Sequence, residues 1–109
     1  MNKKLYNQLA TAKRDIKNSK DMETTQHRIE KLITSLNRNT ECYTFITNSF
    51  VRLGELYDKH IKEHHDIANA NPQIDIQHLT NKEHQIFQEN ASNVIDIAIN
   101  RYCEMEWGN

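Results

Sequence analysis

Five of the six histidines fall between positions 60 and 84. Histidine is both the commonest protein metal ligand and the side chain that titrates nearest neutral pH. His60 and His64 lie one helical turn apart in His60-Ile61-Lys62-Glu63-His64, and His84 opens a later helical pattern. Ligands spaced i,i+4 on a helix present their nitrogens to one point. Antiparallel pairing of the two segments about the loop between them sets His64 beside His84 and Phe87, with His60 a turn deeper, facing Ala91. His60, His64 and His84 are therefore the candidate ligands for zinc or another divalent metal, or the candidate parts of a pH sensor. Glu63 points outward in this register, and Gln88 can approach His84 from within its own helix. The competing reading is packing: rings at the edge of a core, apolar side inward, one nitrogen reaching water or a carbonyl. His65 and His78 fall off the apolar stripes and read as solvated.

The same pentapeptide matches the H-x-x-E-H pattern and so resembles the motif of the inverted zinc peptidases. The resemblance covers five residues; those enzymes are far larger, and no distant third ligand of the expected kind follows in this chain. Arg101 has no histidine after it, and Arg52 is too far from His60 for the Arg-then-His pattern of helical nucleases. A Gly-rich phosphate loop and Ser/His/Asp or Cys/His arrangements are also missing. The pattern points away from catalysis, and no cofactor is called for.

The residues around these histidines must be helical. The chain has 109 residues, 37% of them hydrophobic, with two glycines and one proline. That length suits one domain, residues 1–109, and so little turn chemistry argues against β architectures. Leu5, Leu9, Ala12 and Ile16 form one stripe, and Met22, Ile29 and Leu36, widened by Leu32 and Ile33, form another. Between Ile16 and Met22 the phase slips by one residue. With neither Gly nor Pro to force a break, the favoured expectation is one helix over about 3–37. The alternative is two helices, with Ser19 or Asp21 capping the second. Asn37 to Thr40 connects to the next element, with Thr40 as its N-cap.

Tyr43, Ile46, Phe50, Leu53, Tyr57, His60, His64 and Ile67 then form a heptad seam. Asn69 to Leu79, with Pro72, reads as a loop in which Ile74 and Ile76 tuck down as a lid. Thr80-Asn81-Lys82-Glu83 reads as a capping box opening the last helix. That helix extends to about Met105 with Phe87, Ala91, Val94, Ala98 and Tyr102 on one face, and its further isoleucines mark it as the best-buried element. The fold class predicted is all-α: an antiparallel bundle of three long helices, or of four if the first breaks near residues 17–21.

Charge is segregated. Residues 1–38 hold nine Lys/Arg against four acids, and residues 39–109 hold five against eleven. An internal pairing of a basic segment with an acidic hairpin explains this, and so does a basic surface for an acidic partner. Tyr6, Lys13, Lys17 and Lys20 share a face and are the candidate partner-binding residues, including for nucleic acid. The acidic remainder of the chain weighs against nucleic acid. Cys42 and Cys103 fall at one end of the bundle but out of register for a disulfide, so buried, reduced thiols are expected. The Asn90-Ala91-Ser92 sequon lies within a helical pattern and reads as chance. No apolar run spans a membrane and no signal core follows Lys3-Lys4, so a cytoplasmic protein is expected. The function expected is binding of a protein partner, as by an inhibitor, immunity factor or adaptor of bacterial or phage origin. The heptad seam could equally serve a homo-oligomer.

Overall fold

The computed structural model describes residues 2–103. The chain forms α1 (Lys3–Lys17), α2 (Met22–Ser35), α3 (Glu41–Ala70) and α4 (Ile76–Ala98), which runs on into a π-helical turn at Ile99–Cys103. No strand occurs among the described residues. The four helices run up, down, up and down. α1 packs on α2 and α4, α3 packs on α4, and α2 touches α3 less extensively. The body measures 59 × 23 × 22 Å.

The long first helix does not form; the four-helix alternative does. The polar stretch from Lys17 to Asp21 cannot carry both apolar stripes onto one core, because the phase slip turns one of them to solvent. Breaking there folds α2 back so that Leu9, Ala12 and Ile16 meet Ile29, Leu32 and Leu36 in a shared core. Ending a helix leaves carbonyls without partners, and distant side chains supply them. Gln88 Nε2 donates to the carbonyls of Ile16 and Ser19, both at 2.9 Å. Arg28 donates to the Asp15 carbonyl and, at 3.0 Å, to Ser19 Oγ. Asp21, in extended backbone, starts α2 by accepting from the Thr24 amide at 2.7 Å. Thr40 caps α3 through the Tyr43 amide at 3.2 Å, as its sequence predicts.

The last helix opens five residues earlier than the capping box implies. Asp75 is the N-cap, accepting from the amides of Gln77 and His78. Thr80 is inside the helix, and its hydroxyl donates to the Gln77 carbonyl. A competing Asp cap outside the box won the helix start, which frees Glu83 from any capping role. Ile74 and Ile76 are half-buried, and Ile76 belongs to α4 rather than to a lid. Met105, the expected helix end, lies outside the described residues. α4 carries the most buried positions, though Ile86 and Ile97 remain exposed.

α3 is buried fully only at Cys42, Ile46 and Phe50. From Val51 to Glu83 no residue is fully buried. Tyr57 meets Phe87 edge-on at 5.9 Å. Beyond that contact α3 continues for roughly 13 residues, about 20 Å at the helical rise. The molecule is thus a four-helix base carrying a projecting α3–α4 hairpin.

Candidate functional site

His60 and His64 do converge, but on Glu83 and not on His84. His60 Nδ1 lies 3.2 Å from one carboxylate oxygen of Glu83, and His64 Nε2 lies 2.9 Å from the other. An ionised carboxylate only accepts, so each imidazole donates an N–H. Glu83 is well covered, with its side chain 13% exposed. Burial alone would push its pKa up, but the bonds from His64 and His60 outweigh that and hold it below the usual carboxylate range. His64 Nδ1 is buried with no partner.

His84 turns the opposite way. Its Nε2 lies 2.8 Å from Thr25 Oγ1 on α2. The Thr25 hydroxyl gives its proton to the Asp21 carbonyl at 3.0 Å, so it accepts from His84, whose Nε2 carries the hydrogen. Burial lowers the His84 pKa, and the nearby Asp21 carboxylate partly opposes that. The expected three-histidine set is therefore split by one residue of register: Glu83 faces α3, and His84 faces α2. Together they form a polar layer across the molecule where the base gives way to the hairpin. Each α3 ring holds a different oxygen of one carboxylate. Among the described residues no group of three or more His, Cys, Asp or Glu side chains is placed to hold a metal ion. Hydrogen bonds between these side chains tie α4 to α3 on one side and to α2 on the other. His65 and His78 are exposed.

The basic candidates do not form one open patch. Lys13 Nζ pairs with Asp96 at 2.6 Å, tying α1 to α4. Tyr6 is 38% exposed, and Lys17 and Lys20 are exposed at the far end of α1 and just beyond it. Cys42 and Cys103 are buried. Burial, and then the neighbouring Cys103, pushes the Cys42 thiol up to about 11.

A second feature went unread in the sequence. Because α2 and α3 meet sparsely, a cleft of about 380 Å³ opens between them. Met22, Ile29 and Ile33 form its α2 wall, and Phe50 and Phe87 line it as well. Its α3 wall is Thr47, Val51 and Gly54, a strip at spacings of four and three. Val51 is 55% exposed. Nothing lies within 4 Å of where a Cβ on Gly54 would sit. Thr47 Oγ1 is buried without a partner, whereas Thr25, Thr34 and Thr44 each donate to the carbonyl four residues earlier. The available signal was Gly54 itself, one of two glycines in the chain and set inside a heptad helix.

No known protein family, no curated protein and no solved structure matches the chain. Among the described residues no helix is long and apolar enough to cross a membrane.

Proposed function

We propose that this chain is a non-enzymatic helical protein that acts by binding another protein, in the manner of an inhibitor, immunity factor or adaptor of bacterial or phage origin working in the cytoplasm. The observation that carries this is the α2–α3 cleft: an open trough of about 380 Å³ whose lining is mostly apolar, with Val51 55% exposed on its wall. Apolar surface gathered in a concave site is the usual form of a binding surface on a folded domain. Gly54 makes the cleft deep enough for a partner's backbone to come close, at a cost to helix propensity that nothing within the chain recovers. The test is binding by the full-length chain and by a Gly54→Leu variant, whose side chain fills the trough. Loss of binding with the helical fold retained supports the reading, and equal binding by both refutes it.

A pH-responsive bundle is the second reading, favoured by the polar layer of His60, His64, Glu83, His84 and Thr25. It predicts that hairpin geometry, read by a distance probe between residues 66 and 78, changes between pH 8 and pH 5. An unchanged distance would end it.

A further inference from the structure

We infer that His84 is a proton-operated latch between α4 and α2: acidification loosens α2 from α4, while the Glu83 clamp draws α3 and α4 together. Such a latch rests on the pH-responsive reading and specifies which contact gives way and which holds. α2 packs mainly on α1 and meets α3 sparsely. Its direct hydrogen bond to α4 joins two buried side chains, His84 Nε2 to Thr25 Oγ1 at 2.8 Å. Thr25 gives its own proton to the Asp21 carbonyl, so His84 Nε2 is the donor whether the ring is neutral or charged. A second proton goes to Nδ1. It puts a full charge on a buried ring whose Nε2 partner is a neutral hydroxyl, not a carboxylate.

The charged groups around the layer divide between the two sides of α4. On the α2 side, the Asp21 carboxylate favours a proton on His84, but burial outweighs it and lowers the His84 pKa. Arg28, also close to Asp21, bonds Asp15 and Ser19. On α1, Lys13 is held by Asp96. On the α3 side, His60 and His64 bond Glu83, and Tyr57 lies near it. Burial, then Asp58 and Glu83, lift Tyr57 above the ordinary phenol range, so it stays neutral. Although burial acts to raise Glu83, the bonds from His64 and His60 hold it below the usual carboxylate range, and it remains ionised between pH 8 and pH 5. An imidazolium donates to a carboxylate more strongly than a neutral imidazole does. A proton arriving on His60, the more exposed of the two rings, therefore strengthens the clamp. One change of pH acts in opposite senses on adjacent residues of α4. Met22, Ile29 and Ile33 of α2 also wall the cleft, so the latch governs how firmly that wall is held.

The experiment is native-state hydrogen exchange of the full-length chain at pH 8 and pH 5, corrected for intrinsic exchange rates. Protection of amides in 25–35 is expected to fall by about threefold or more relative to 44–50, and that of 55–67 to hold or rise. In His84→Gln, which can still donate to Thr25 but cannot take the proton, the fall over 25–35 should disappear. The wild type supplies a check that needs no variant: the shifts of the 25–35 amides should titrate with the same midpoint as the His84 ring. Different midpoints, or an equal fall in His84→Gln, would contradict the assignment to His84. Changes confined to the hairpin, or spread evenly over all helices, would overturn the latch while leaving a pH-responsive bundle. Protection unchanged everywhere would overturn both.

Discussion

Thr47 and Gly54 are two residues of the cleft wall whose types cost this chain stability without an internal return. A glycine inside a helix is worth about 0.5–1 kcal/mol less than alanine, and the Cβ that alanine adds at position 54 meets open space. Gly54→Ala is therefore expected to raise stability by about that amount, measured as a higher urea midpoint with unchanged slope. Thr47→Val removes a buried hydroxyl that has no partner while keeping the side-chain shape. It should gain about 1 kcal/mol in the same assay; a loss would mean that the hydroxyl is satisfied in solution. The two residues were unequally legible. Gly54 stands out in the sequence because glycine is so rare here. Thr47 does not, because no sequence pattern says whether a helical threonine bonds its own backbone or turns elsewhere.

Helix α4 makes adjacent residues face different neighbours, Glu83 toward α3 and His84 toward α2, and this sets the pH behaviour. The His84 pKa is lowered in the folded state by burial, with Asp21 opposing. The unfolded chain therefore binds the proton more readily, and stability falls as pH drops below the ordinary histidine value. Glu83 is held low by His64 and His60 against its own burial. Its contribution is complete above the ordinary carboxylate range and is lost as pH falls below it. The stability difference between the wild type and His84→Gln should accordingly narrow from pH 8 to pH 5 in paired urea titrations; a widening difference would contradict the assignment. Glu83→Ala removes two bonds to a charged acceptor and should cost about 2 kcal/mol. The loss should be concentrated in faster amide exchange over residues 61–80. The involvement of His60 and His64 was legible from their spacing. Their partner was not, because Thr80-Asn81-Lys82-Glu83 has the form of a capping box, and only the rival Asp75 cap releases Glu83 from it.

Across the whole molecule the base and the hairpin differ in what holds them. The base closes around Leu9, Ile16, Ile46 and Ile95, each 0% exposed, while the hairpin beyond Tyr57 relies on the polar layer and half-buried isoleucines. Amides of residues 61–80 are expected to exchange well before those of 44–50 and 90–97 in native-state hydrogen exchange, because local opening there exposes little apolar surface. Scarcity of Gly and Pro was enough to give the all-α class, and the apolar stripes placed α3 and most of α4. The break between α1 and α2, with Asp21 as cap, was legible only as the less favoured alternative, because the groups that satisfy its carbonyls are Arg28 and Gln88, the latter about seventy residues away in sequence.

Protein binding at the α2–α3 cleft is tested by amide chemical-shift mapping of a helical peptide selected on the full-length chain. The largest perturbations are expected on Met22, Ile29, Ile33, Thr47, Val51 and Gly54, and they should vanish in Gly54→Leu. Perturbations centred on the basic face of Tyr6, Lys17 and Lys20, or on the hairpin around His60 and Glu83, would contradict it.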